Sequence, residues 1–235
     1  MKRAAILAVL LLPACTTLHR QALQPQPAQN AALAVPAQSE LYLGVVDGLI
    51  KQQRYQAAIA FLAKYQKSSP ATPRFRILAG QALAGAGRLD EAIASYRGAL
   101  QSASAAEGYN GIGKAEGARA SWGEAAENFR RASELDPANA DYLNNLGYAQ
   151  LKQNLNRADR AQTLEVLQRA HELAPESARI TANLALAMEQ AGRRQQFLTL
   201  LDTIPDPASR RLVAEFAANW NPGPADNAPA KGYAP

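Results

Sequence analysis

The chain has 235 residues, 48% hydrophobic but only 6% aromatic, with a formal net charge of +5. Its basic residues are scattered among acidic ones, which excludes the clustered basic face that nucleic-acid binding requires. A single cysteine excludes an internal disulfide framework, and abundant alanine with few β-branched residues points to closely packed helices.

In chain order, Lys2 and Arg3 precede an apolar run over residues 4–12, which ends in Leu12-Pro13-Ala14-Cys15. The run has the length of a secretory signal and is too short for a lasting bilayer span. No later apolar stretch reaches spanning length either. These residues resemble a bacterial lipoprotein signal, with Pro13 an uncommon member of the lipobox. The resemblance implies removal of residues 1–14, which lowers the charge from +5 to +3, and lipidation of Cys15. The alternative is an ordinary signal peptide with an incidental thiol. A lone cysteine in an exported chain has no internal partner, which favours its use as an attachment point. Several acyl chains would anchor the protein stably. Thr16, rather than an aspartate, follows the cysteine, so the resemblance implies the periplasmic face of an outer membrane.

Residues 15–38 are rich in proline, glutamine and alanine and lack a helical apolar period, so they read as a flexible tether with a coil span of about 25 Å. Residues 221–235 lack a core pattern and read as a disordered tail. Residues 39–220 between them are periodic. Ala92, Tyr96 and Ala99 set a pattern of small, large and small residues that recurs at Ala125, Phe129 and Ala132. Ala58 and Leu62 begin it earlier, and Leu167 and Ala170 repeat it later. A second helix-like segment precedes each, over residues 41–51, 75–84, 108–117, 142–152 and 180–190. Units start near Ser39, Pro73, Ala106, Ala140 and Ala178 at a spacing of about 34 residues, with a short insertion near residues 154–157.

This pattern resembles tetratricopeptide (TPR) repeats. It implies an all-α superhelical solenoid of about five helical hairpins. Small residues such as Gly80, Gly113 and Gly147 would allow close helix approach, and Tyr96 and Phe129 would fill the space between units. Glu116 and Gln150 depart from the pattern where bulky residues are expected, and Phe197 departs where a small one is. Leu212, Val213, Phe216 and Trp220, at helical spacing within residues 208–220, predict a capping helix.

In TPR proteins the first helix of each unit lines the concave face. Partner-binding candidates are therefore Asn110 and Lys114 in the third unit, Asn144 and Asn145 in the fourth, and Arg179 and Asn183 in the fifth. Amides and cations here suit an extended peptide backbone or a carboxylate. The bland alternative is a solvated polar helix face. Against the carboxylate clamp of chaperone-binding TPR domains, only Asn145 keeps both place and residue type, while Arg179 keeps the charge.

No catalytic constellation is legible, so the chain reads as a non-enzyme without cofactor. His19, His171 and Cys15 are too separated to form a metal set or a nucleophile–base pair. The Gly-Tyr-Asn-Gly-Ile-Gly run over residues 108–113 falls in a predicted helix with no preceding strand, which rules out a phosphate loop. Trp122 and Trp220 read as packing residues.

The runs over residues 142–149 and 178–187, together with the lipobox and the proline-rich flanks, are similar to the TadD-type TPR lipoproteins of tight-adherence (Tad, Flp) pilus systems. That resemblance implies a pilotin-like adaptor, in which the concave face captures a secretin or another assembly component. The alternatives are a type IV pilus secretin pilotin and a periplasmic scaffold for peptidoglycan enzymes.

Overall fold

The computed structural model describes residues 35–153 and 156–221. The expected signal, Cys15, most of the tether and nearly all of the tail lie outside these residues. Among the described residues every regular element is a helix: α1 (Val35–Lys51), α2 (Tyr55–Gln66), α3 (Pro73–Gly85), α4 (Leu89–Arg97), α5 (Ala105–Ala118), α6 (Trp122–Leu135), α7 (Ala140–Leu151), α8 (Arg157–Leu173), α9 (Ala178–Gln190), α10 (Arg194–Thr203) and α11 (Pro207–Ala218). None is long and apolar enough to cross a membrane.

The helices pair as five hairpins followed by α11, and each packs on its neighbour in sequence. The first helices of successive hairpins also touch, α1 with α3, α3 with α5 and α7 with α9, and α11 continues that row against α9. Short-range stacking of this kind defines a solenoid with one concave face. The folded region begins at Val35, ahead of the boundary expected at residue 39, so the last residues assigned to the tether are helical. A proline such as Pro36 is tolerated in a helix's first turn, and the residues after it carry no helix breaker.

Two kinds of junction set the hairpins. At four of the five junctions between units a polar side chain caps the incoming helix, the exception being Ser104 ahead of α5. Thr72 accepts from the Phe75 N–H at 3.2 Å ahead of Pro73, Asn139 from Tyr142, Ser177 from Ile180, and Asp206 from Ala208 and Ser209 ahead of Pro207. Such caps satisfy amides that the helix leaves unpaired. Inside a hairpin the second helix has no side-chain cap at Arg54, Arg88, Ser121 or Arg193. The chain turns instead through one left-handed residue: Gln53 (φ 57°), Gly87 (φ 78°), Ala120 (φ 62°) and Gly192 (φ 68°).

Glycine adopts that conformation without penalty, whereas a side chain there costs about 1–2 kcal/mol. Gln53→Gly is therefore expected to stabilise the first hairpin by roughly 1 kcal/mol, after a small loss to the looser unfolded chain. A urea midpoint that fell would show that the glutamine side chain holds the turn by contacts of its own.

The core is segmented. Phe75, Leu62 and Tyr65 anchor the first segment, Tyr96 and Ile93 the second, Phe129 and Trp122 the third, and Leu167, Leu184 and Phe197 the last. The glycines expected to allow close approach do so. A Cβ on Gly113 would stand 2.7 Å from the Phe129 ring, and one on Gly147 would stand 2.4 Å from Cγ of Leu167. Of the departures from the repeat pattern, Phe197 is buried and contributes to the core. Glu116 lies 3.9 Å from Arg119, and Oε1 of Gln150 is buried without a hydrogen-bond partner among the described residues.

Candidate functional site: the groove along the first helices

Register places one charged residue early in each first helix: Glu40, Arg74, Glu107, Asp141 and Arg179, the second residue of each unit as numbered from the sequence. The fold brings neighbouring units together so that several of these meet. Arg74 pairs with Glu40 across α1 and α3. Arg179 donates through Nη2 to Oδ1 of Asp141 at 2.6 Å across α7 and α9. Glu107 accepts from Nε2 of Gln81 at 3.2 Å across α3 and α5. A cleft of about 320 Å³ opens between the first three units, lined by Asp47, Arg74, Gln81 and Glu107 with Ile77, Leu78 and Ser104.

The candidate residues separate into two groups. Asn110, Asn145 and Arg179 form a chain: Asn145 donates to Oδ1 of Asn110 at 2.9 Å, and Nη1 of Arg179 donates to Oδ1 of Asn145 at 3.3 Å. Lys114 lies close enough to Arg179, Asp141 and Glu107 to feel their charges, yet makes no hydrogen bond or ion pair among the described residues. Asn144 and Asn183 face inward. They are 1% and 6% exposed, and Asn183 donates to Oδ1 of Asn144 at 2.9 Å.

Asn144 and Asn183, partner-binding candidates from the sequence, lie between α7 and α9 rather than on the open groove. Each satisfies the other between α7 and α9, as buried polar groups must be satisfied. Asn145 is also covered, at 3% exposed, and works as a strut between Asn110 and Arg179 rather than as a contact. The exposed groups along the groove are Lys114, Arg179 and Asp141, with Glu107 beside them. Glu107 and Asp141 were not singled out in the sequence, although their register matches Arg179.

The groove is electrostatically tense. Desolvation pushes the Lys114 ammonium below the usual lysine range, Arg179 adds to the shift, and Asp141 and Glu107 oppose it. Desolvation raises the Glu107 carboxyl, Asp47 raises it further, and Lys114, Arg74 and Gln81 pull it back. Both side chains nonetheless remain open to solvent along the groove.

Hairpins stacked in this way, with small residues at the close contacts and a row of polar residues along the first helices, define a TPR solenoid. A TPR repeat profile matches residues 118–154, and a second tetratricopeptide repeat profile matches residues 43–107. Among solved structures, MamA from Desulfovibrio magneticus RS-1 (residues 41 to its end) is 16% identical, with 72% of this chain and 97% of that chain covered and a TM-score of 0.57. A MamA RS-1 double mutant is 15% identical over 77% of this chain and 97% of that chain, with a TM-score of 0.58. YrrB, described as a TPR protein with an unusual peptide-binding site, is 17% identical over 79% of this chain and 94% of that chain, with a TM-score of 0.57. At these identities the likeness is one of fold. No curated protein matches the chain.

Proposed function

We propose that the protein is a lipid-anchored adaptor that captures an extended protein segment in the groove of its first helices, and that it serves Tad/Flp pilus assembly in a pilotin-like role. The observation that carries the binding reading is Lys114. Its side chain is exposed in the groove, beside the Arg179–Asp141 pair, and has no hydrogen-bond or ion-pair partner among the described residues. A carboxylate or backbone carbonyl of a bound segment is the group that completes it. TPR modules are typically binding rather than catalytic units, and YrrB offers a precedent for peptide binding on this architecture.

The Cys15 lipobox supports anchoring at the periplasmic face of the outer membrane, and the segment that follows it supplies reach. Anchoring raises the local concentration of a captured secretin or other assembly component, so a modest groove affinity suffices. The pilus assignment itself rests on the sequence similarity over residues 142–149 and 178–187.

A photo-crosslinking residue at Glu107, which is exposed beside Lys114, tests this in the native strain. Capture of a Tad secretin or a neighbouring assembly component, weakened about tenfold or more by Arg179→Ala, is the expected result. Capture of peptidoglycan enzymes with pili still assembling would move the protein to the envelope-scaffold class. A type IV pilus secretin in the crosslink would reassign the secretion system.

A further inference from the structure

Beyond the polar groove, the C-terminal end of the same row of helices carries a cluster that the adaptor reading does not use. Tyr148 occupies the position in α7 that Asp47, Gln81 and Lys114 occupy in α1, α3 and α5. Asp47 and Gln81 line the groove's first cleft, so Tyr148 continues the same surface. Its ring meets Trp122 edge-on, with centroids 5.9 Å apart and planes at 81°, and meets Trp220 at 5.9 Å and 75°. Nζ of Lys152 stands 4.4 Å from the Trp220 ring centroid, 5.6 Å from Trp122 and 5.7 Å from Tyr148. Three rings thus surround one ammonium, and burial holds its pKa below the usual lysine range.

Trp220 reaches this platform from beyond α11. That helix packs on α9 and, less extensively, on α10, yet Ala217 is its one buried residue. Leu212 is 66% exposed and Phe216 is 37% exposed, while Val213, Ala214 and Trp220 pack against the core that α9 and α10 share. The Trp220 indole N–H is buried with no acceptor among the described residues. A donor sequestered in this way forfeits the hydrogen bond that water would give it, which weakens the hold that the ring contacts provide. Trp220 is therefore a well-shaped occupant whose one polar edge is left unsatisfied among the described residues.

We propose that the Trp122–Tyr148–Lys152 platform is a subsite for an aromatic side chain of the bound protein segment, and that Trp220 fills it in cis as a displaceable latch. The chain's own tryptophan shows what the platform accepts. A flat ring packs edge-on against Tyr148 and offers its face to the Lys152 ammonium, an arrangement favourable wherever the cation is partly desolvated. A partner aromatic that also gives its polar edge a hydrogen-bond acceptor escapes the penalty that Trp220 carries. The inference deepens the adaptor reading and rests on it. It adds that the captured segment presents polar or acidic groups toward Lys114 and an aromatic residue toward Tyr148, and that capture releases α11.

The test uses the full chain purified in detergent, and a dye-labelled Gly/Ser peptide, capped at both ends, that carries one tryptophan. Its twin carries alanine instead. In fluorescence anisotropy, Trp220→Ala is expected to bind the tryptophan peptide about tenfold more tightly than the unaltered chain does. The alanine peptide should gain nothing, and adding Tyr148→Ala should abolish the gain. Equal affinity of the two proteins, or of the two peptides, overturns the subsite.

Because Trp220→Ala also removes packing at the solenoid end, hydrogen exchange of the unaltered chain provides a second arm. A latch predicts that the Trp220 indole proton exchanges by local opening, well ahead of the buried amides of α9 such as that of Leu184. Exchange of both together, through global unfolding alone, makes Trp220 a fixed cap and overturns the proposal. The groove reading is judged separately by the Glu107 crosslink, so either can fail while the other stands.

Discussion

Replacing Phe129 with alanine is expected to destabilise the solenoid by about 3–5 kcal/mol, the range for removing a large buried aromatic side chain. Phe129 is 1% exposed and sits among Trp122, Ala125, Leu146 and Ala149. Its ring also closes on Gly113 of the partner helix in its own hairpin. The surrounding residues are mostly alanine and glycine, whose short side chains cannot collapse into the vacated space, so the cavity persists. The position in the array matters as much as the volume. Stability in stacked repeats is close to a sum over units and their interfaces. A defect in the central unit therefore uncouples the hairpins on either side. Urea unfolding followed by circular dichroism should show a lower midpoint and a shallower transition, because the two ends then unfold separately. A loss below about 1 kcal/mol with unchanged steepness would mean that the helices close over the cavity after all.

The second large effect concerns a glycine whose importance comes from a neighbouring helix. Gly80→Ala in α3 is expected to cost about 1–3 kcal/mol despite alanine's better helix propensity. A Cβ at Gly80 would stand 2.5 Å from Cε1 of Tyr96, and a Cβ at Gly111 in α5 would stand 2.5 Å from the same atom. The Tyr96 ring, carried by α4, is thus wedged between the first helices of two successive units. It is 4% exposed, with Ile93 and Ile112 in the same cluster, so it has little room to yield. Tyr96→Leu opens space at the same contact, so the double variant Gly80→Ala/Tyr96→Leu should be less destabilised than the sum of the two single changes. Strict additivity in thermal melts would show that the glycine is not held by that ring. Alanine at Gly44, where a Cβ meets nothing within 4 Å, is the control and should be neutral or mildly stabilising.

These two effects show how far the repeat register was legible. Small residues at Gly80, Gly113 and Gly147 and large ones at Tyr96, Phe129 and Leu167 specify which helices approach closely and what fills the space between them. That pattern fixes hairpins, spacing and fold class, because close helix packing requires small and large residues at set positions. The cap residues Thr72, Asn139, Ser177 and Asp206 likewise do a local job that local sequence reveals. The left-handed turn was legible at Gly87 and Gly192 but hidden at Gln53 and Ala120, where the hairpin geometry imposes a conformation that those residues do not favour.

The candidate site divides along the same line. Sequence by itself determined that the first helices carry a row of amides and charges, and the register that makes Asn110, Asn145 and Arg179 neighbours across units. Tertiary structure alone decided which of them a partner can reach. Adjacent residues on a helix point about 100° apart, so Asn144 and Asn145 differ in surroundings according to how α9 lies across α7. That crossing buries Asn144 against Asn183, ties Asn145 to Asn110 and Arg179, and leaves Lys114 without a bonded partner among the described residues. The same holds for Trp220: its spacing marked an apolar helix face, but only the packing of α11 onto α9 could carry it to Tyr148 and Lys152. Periodicity is a property of one helix and can be read along the chain. Accessibility arises between helices and is set by their packing.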